Sequence, residues 1–315
     1  RWLCAIWGPI QPMVAVGGAT RLTESGLWIT EWKPVTGAIP PLNQADWEAE
    51  FAAYKQSSQY ALMNQGMTLA AFKQIFFWEY FHRLLGRLIG LAYAVPLVWF
   101  AARRALPRGY GPRLIFLLLL GGAQGAVGWF MVKSGLTDRV NVEPAMLAAH
   151  LGMALILLAA VAWTACDFQR LARDPAATKA RITLAGTWPV LLLFLQILLG
   201  ALTAGLRAGY VANTWPLMND HFVPEGIQSW GSVWMTLTSD PFLVHFLHRW
   251  WAWIAAAAII WMGARVHRLG SDRLAFALMG LTLGQIMLGI ATVITGVAMG
   301  IAVGHQLIGA LLFGV

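Results

Sequence analysis

The sequence predicts an all-α integral membrane protein: eight transmembrane helices arranged as two tandem four-helix bundles, related by a pseudo-two-fold axis along the membrane normal. Three observations predict it. Of the 315 residues 58% are hydrophobic and only 11% charged, with 17 tryptophans, a balance suited to a chain whose outer surface meets lipid. Apolar runs recur at the length needed to cross hydrocarbon about 30 Å thick, roughly 20 residues each. Motifs of the first half return in the second, which points to internal duplication.

The elements follow in order. A first apolar run covers about residues 2–20, and a long outer loop, 21–78, comes after it. Within that loop Asp46-Trp-Glu-Ala-Glu-Phe-Ala-Ala-Tyr, following Pro40-Pro41, reads as a capped amphipathic helix, and Thr68-Leu-Ala-Ala-Phe-Lys as a second one leading into span two. Such helices either roof the neighbouring site or anchor at the interface. Spans two to seven cover about residues 79–101, 113–133, 144–166, 182–205, 241–264 and 274–298. The eighth opens near residue 302 and stops at Val315. That early stop, and an opening on Arg1 instead of a start methionine, create the expectation that flexible ends lie outside this sequence, so no targeting segment is assigned.

Loop charge sets the orientation, since short cytoplasmic loops carry the excess of Lys and Arg. Arg103, Arg104, Arg108 and Arg113 follow span two, Arg170, Arg173, Lys179 and Arg181 follow span four, and Arg265, Arg268 and Arg273 follow span six. The opposite loops lean acidic, with Glu24, Glu31, Asp46, Glu48, Glu50, Asp138, Glu143, Asp220, Glu225 and Asp240. The N-terminus is therefore expected on the cytoplasmic or matrix side. The net charge of +8 is a topological signal, and no nucleic-acid partner is expected. Cys4 and Cys166 map toward reducing cytoplasmic ends, so no mutual disulfide is expected.

Repetition locates the chemistry. Gly17-Gly-Ala-Thr-Arg21, continuing to Trp32, parallels Gly200-Ala-Leu-Thr, continuing to Trp215, and Gln124-Gly-Ala-Val-Gly128 parallels Gln285-Ile-Met-Leu-Gly289. Four spans per unit is an even number, so both units, 1–170 and 171–315, have one orientation. In this frame His82 and His150 of the first unit match His248 and His305 of the second. Each is expected in the first turn or two of an even-numbered span, all four at one level near the outer face. A single imidazole in a span is costly and often serves packing. Four at repeated positions point to two bis-histidine haem sites, one per bundle. Gly86, Gly90, Gly125, Gly128, Gly152, Gly284, Gly289 and Gly309 stand nearby, either admitting a macrocycle or letting helices pack closely.

Glu79 stands three residues before His82, where the second repeat has His245. A carboxylate there either handles protons of a substrate or is a helix-terminal acid favoured by the macrodipole. Arg83, Arg87 and Arg249 lie close enough to the histidines to pair with haem propionates, although arginines at membrane ends also snorkel without partners. His221 and His267 are expected to be ordinary solvated residues.

The strings Gly17-Gly-Ala-Thr-Arg21-Leu-Thr-Glu-Ser-Gly-Leu, Asp46-Trp-Glu-Ala-Glu-Phe, Met67-Thr-Leu-Ala-Ala-Phe-Lys, Glu79-Tyr-Phe-His82-Arg-Leu-Leu-Gly-Arg, Ala149-His150-Leu-Gly and Ala212-Asn-Thr-Trp-Pro-Leu-Met218 resemble the haem A synthase family, in its mitochondrial and alphaproteobacterial type, over nearly the whole chain. The resemblance implies oxidation of the C8 methyl of haem O to a formyl by two successive hydroxylations, giving haem A for cytochrome oxidase. It implies that His82 and His150 hold the substrate haem, that Glu79 is the catalytic carboxylate, and that His248 and His305 hold a permanent haem b. Many bacterial members carry cysteine pairs in outer loops, and this sequence has none there. Haem O synthase and cytochrome oxidase assembly factors are the implied partners, beside an electron donor the sequence does not identify and the lipid bilayer; a homo-oligomer is left open. The implied location is the bacterial or mitochondrial inner membrane. Two other classes stay open on sequence, a di-haem electron carrier exchanging with quinone and a transporter of parallel repeats. Ligands at both faces would favour the carrier.

Overall fold

The computed structural model describes residues 1–27, 29, 33, 36–136 and 140–315. Glu31, Trp32 and Asp138, which enter the charge and repeat arguments, lie outside the described residues. Among the described residues there are helices and loops and no strand, so the protein is all-α. In chain order the α-helices are α1 (Trp2–Leu22), α2 (Gln44–Tyr54), α3 (Ser58–Met63), α4 (Leu69–Ala102), α5 (Gly111–Leu136), α6 (Pro144–Arg173), α7 (Leu184–Gly205), α8 (Val233–Ser239), α9 (Pro241–Arg268), α10 (Asp272–Ile294) and α11 (Met299–Gly314). Six of them, α4 to α7, α9 and α10, are long and apolar enough to cross a membrane, which makes this a multi-pass membrane protein. The two remaining expected spans are also helical: α1 has 21 residues with Pro9 and Pro12 inside it, and α11 has 16.

Local chemistry sets the helix starts. The side chains of Asn43, Ser57, Thr68, Thr183, Ser232 and Asp240 each accept a backbone N–H of the first turn that follows. Pro241, directly after the Asp240 cap, pre-sets the first helical position of α9. Arg265, His267 and Arg268 complement the dipole at its end, and Gly270, at φ +81°, turns the chain out.

One expectation is corrected. The helix expected at Thr68 is not separate from span two, because α4 runs unbroken from Leu69 to Ala102. No Pro or Gly interrupts Leu69–Glu79, and Phe72 and Phe76, one turn apart, are both buried. His82 therefore lies about four turns into its helix, not in the first two. His150, His248 and His305 do fall within about two turns of the starts of α6, α9 and α11.

The chain forms two compact units, Arg1–Met146 with Ala160–Ala165, and Leu147–Ala159 with Cys166–Val315. In the first unit α1 lies along α4: Trp2 Nε1 donates to Ala92 O at 3.0 Å and Thr20 Oγ1 to Trp78 O at 3.3 Å. Over the start of α4, Phe51 and Tyr54 of α2 pack on Phe72 and Phe76, flanked by Trp47, Tyr60 and Tyr80. In the second unit α7, α9, α10 and α11 each contribute one residue to a core of Leu193, Ile259, Leu278 and Leu312, the packing of a four-helix bundle.

Candidate haem-binding site

In the first unit, α4 carries Glu79, His82, Arg83 and Arg87. Four residues apart, Glu79 and Arg83 share one helix face. Glu79 is only 3% exposed. Its Oε2 accepts the N–H of Ile29 at 3.0 Å, and its Oε1 accepts a charge-assisted bond from Arg83 Nη2. Arg83 Nη2 also donates to Ile29 O at 3.0 Å, so both backbone groups of Ile29 are held. Arg87 Nη2 donates to Lys33 O at 2.8 Å. Beside these contacts opens a cavity of about 460 Å³, lined among others by Lys33, Glu50, Phe76, Tyr80, Arg83 and Arg87. The imidazole of His82 lies against Gly17 of α1, where a Cβ would stand 3.2 Å from its Nε2.

In the second unit His248 of α9 and His305 of α11 face each other with ring centroids 6.4 Å apart and planes at 82°. Two metal–imidazole bonds of about 2 Å, plus roughly 1 Å from each nitrogen to its ring centre, span about 6 Å, so the pair has a separation at which both imidazoles would hold one iron. His305 Nδ1 is buried with no hydrogen-bond partner among the described residues, as are Oε1 of Gln196 and of Gln285. Orphaned polar atoms around facing imidazoles fit a site completed by a bound group. Glycine makes room for each ring: a Cβ at Gly200 would stand 2.9 Å from His248 Cε1, and one at Gly289 would stand 3.0 Å from His305 Cε1. Gln196 Nε2 lies 3.1 Å from His248 Nδ1 and donates to His248 O at 3.0 Å, and Gln285 Nε2 lies 3.5 Å from His305 Nε2.

Arg249, 5% exposed, donates from Nε to His245 Nε2 at 3.1 Å, from Nη1 to Thr214 O at 2.9 Å and Leu217 O at 3.3 Å, and from Nη2 to Ala212 O at 2.8 Å. This repeats the first unit at the level of single atoms. Ile29 follows Gly17 by the same twelve positions by which Ala212 follows Gly200. In each unit the arginine after the histidine holds that carbonyl, and that glycine lies against that histidine. Glu79 and His245, the divergent pair, are both buried beside this arginine.

The structure thus brings together Glu79, His82, Arg83 and Arg87 on α4, and His248, Arg249 and His305 in the second unit. His150 stands on the part of α6 that belongs to the second unit, two residues before Gly152, which faces Phe194 and Leu198 of α7. His221 and His267 are exposed, beside Glu225 and Asp272 respectively, and Cys4 and Cys166 form no disulfide. Sequence reasoning missed Gly17 and Gly200 as packing partners of the histidines, and it missed Gln196. The repeat register contained the first two, because they open the matching strings.

The heme A synthase of Sphingopyxis alaskensis is 56% identical over 315 residues, covering 100% of this chain and 89% of that protein. That of Erythrobacter litoralis is 50% identical over 316 residues, covering 99% and 93%. That of Cereibacter sphaeroides is 46% identical over 322 residues, covering 97% and 82%. The family model described as cytochrome oxidase assembly protein matches residues 1–315. With histidines, glycines and arginines repeating in contact as well as in sequence, and matches running from end to end, the chain belongs to the COX15-CtaA family of cytochrome oxidase assembly proteins.

Proposed function

We propose that this protein is an oxidoreductase that makes haem A from haem O, oxidising the C8 methyl to a formyl by successive hydroxylations. Family membership supports the activity, and the facing pair His248 and His305 is the observation that supports a haem site in the second unit. In this reading the second unit keeps a haem b on those two imidazoles. When bound, that group supplies one-electron redox chemistry. His82 and His150 hold the substrate haem, a division supported by their correspondence with His248 and His305 in the repeat.

Glu79, buried and held by Ile29 N–H and Arg83, is a fixed negative charge one turn from His82. Such a carboxylate can take up a proton from the substrate methyl or stabilise positive charge developing there. Arg83, Arg87 and Arg249 act as cofactor-side cations, with Arg83 and Arg87 lining the cavity above α4 and Arg249 acting through the loop it holds. The finer architecture we assign is eight spans as two bundles of residues 1–170 and 171–315, with a pseudo-two-fold axis along the membrane normal. The N-terminus faces the cytoplasm and the haem sites face outward, in a bacterial inner membrane. Partners are haem O synthase, cytochrome oxidase assembly factors and an electron donor.

Reduced-minus-oxidised spectra of the purified protein, with haem extraction and mass analysis, test the reading. The protein should carry haem b together with haem O or haem A, and His248→Ala or His305→Ala should lose haem b. Full retention of haem b in both variants would remove those ligands, and a protein without pigment would remove the activity.

A further inference from the structure

The two units share a glycine against a histidine but differ one helical turn away. Gln196 stands four residues before Gly200, so the two lie on one face of α7. Together they touch two sides of the His248 ring: Gly200 leaves room at Cε1, and the Gln196 amide sits on Nδ1 while also bonding the His248 backbone carbonyl. At the matching position, four residues before Gly17, the first unit has Met13. Its terminal methyl packs on Gly86 of α4, where a Cβ would stand 3.2 Å away, and its thioether offers neither an amide N–H nor a carbonyl. Glutamine is retained at the other matched pair, Gln124 and Gln285, so of these two matched glutamine positions only the one on the helix that opens each unit differs.

We infer that Gln196 and Gly200 form a two-point seat on α7 that fixes His248 as a permanent iron ligand, and that Met13 in place of Gln196 makes the first unit's equivalent seat suited to a haem that must leave. The inference rests on the proposed function and assigns its two kinds of haem to a feature of the chain. An amide on Nδ1 leaves Nε2 as the open nitrogen for iron. The other end of that amide, Oε1, is buried without a partner among the described residues. It is the acceptor that an iron-bound imidazole needs for its Nδ1 proton; with iron on Nε2 the amide would turn over to present Oε1 to Nδ1, giving up the bond that Nε2 makes here to the His248 carbonyl. Gln196 is a positioning residue: it holds the ring in one orientation and makes it a stronger donor. Loss of such a partner typically weakens metal binding about 10–100-fold.

The test uses the full-length protein purified with its haem, a redox titration of haem b, and the rate of haem transfer to excess apomyoglobin. Gln196→Met, which installs the first unit's residue, should speed transfer of haem b about tenfold or more and raise its midpoint potential. Gln196→Glu, which keeps a stronger acceptor at Nδ1, should retain haem b and lower the potential. Met13→Gln should leave haem b untouched and raise the amount of substrate or product haem that co-purifies. Gly280→Ala, at an exposed position with nothing within 4 Å of an added Cβ, should behave as wild type. If Gln196→Met does not fold, the potential of Gln196→Glu decides alone. Wild-type potential in Gln196→Glu, with wild-type transfer in any folded Gln196→Met, overturns the seat while His248→Ala still strips haem b. Retention of haem b by His248→Ala overturns the ligand assignment underneath it.

Discussion

Glu79 and His245 occupy one position of the repeat with opposite chemical capacities, and each is buried against the arginine four residues on. The pairing gives Glu79 a structural duty, since its carboxylate and Arg83 together hold both backbone groups of Ile29. Removing one partner of a buried ion pair costs about 3–5 kcal/mol, so Glu79→Ala would confound folding with chemistry. Glu79→Gln separates them: the amide oxygen can still accept the Ile29 N–H, and the negative charge is gone. A well-folded Glu79→Gln protein should retain bound haem, and product formation should fall by roughly 10²–10⁴-fold, the usual effect of losing a positioned acid or base, with haem O or a partly oxidised haem accumulating. Normal haem A yield from that variant would confine Glu79 to holding the loop.

At the scale of elements, the cap over α4 has the chemistry of a small soluble core attached to a membrane helix. Tyr54 of α2 is fully buried among Phe51, Tyr60 and Phe72. Its hydroxyl accepts from Asn64 Nδ2 at 2.9 Å and donates to Gln59 Oε1 at 3.4 Å. Burial pushes this phenol up to about 12 from its ordinary value of 10.0. A raised folded-state pKa of an acid means that the folded cap keeps its proton where the unfolded chain has lost it. The stabilisation is therefore complete below about pH 10 and fades as pH rises from there toward 12. Hydrogen exchange of α2 should be steady, after correction for intrinsic rates, from neutrality to about pH 9.5 and should accelerate above pH 10. Tyr54→Phe should remove much of that pH dependence while weakening the cap through the lost hydrogen bonds, by about 1 kcal/mol. An identical pH profile in the variant would assign the alkaline loosening to other groups. The unbroken α4 carries this core directly to Glu79 and His82, so disorder in the cap should reach the site through one helix.

For the whole molecule, orientation is the property that contact geometry within a unit leaves open and loop charge predicts. With Cys4 and Cys166 replaced by Ser, Gln65→Cys in the long loop after α3 should react with an impermeant thiol reagent in intact cells. Ser271→Cys, between α9 and α10, should react only after the membrane is breached. The reverse pattern would place both haem sites on the cytoplasmic side. The duplication gains a further check at this scale. Because Arg83 and Arg249 hold equivalent carbonyls in their own units, replacing either with Lys should loosen only the loop of its own unit, a lysine being unable to reproduce the guanidinium fork. Limited proteolysis of each variant should show new cleavage confined to that loop.

The class of protein, the starts of most long helices, the four histidines and the matched strings around them are legible in the chain. Each of these is written in signals that act locally or repeat at fixed spacing: apolar runs, caps, and matched strings. The fusion of the Thr68 helix with span two followed from the absence of any breaker, yet what made it one rigid element was the burial of Phe72 and Phe76 under α2, a contact between segments some twenty residues apart in the chain. Packing between helices settles which glycine makes room for which imidazole, that Gln196 sits on His248, and that Arg83 and Arg249 hold loop carbonyls. Those pairings join residues 16 to 65 positions apart and depend on how the helices are rotated against one another. Helix rotation is set by the sum of many packing contacts, and no single motif in the chain records it.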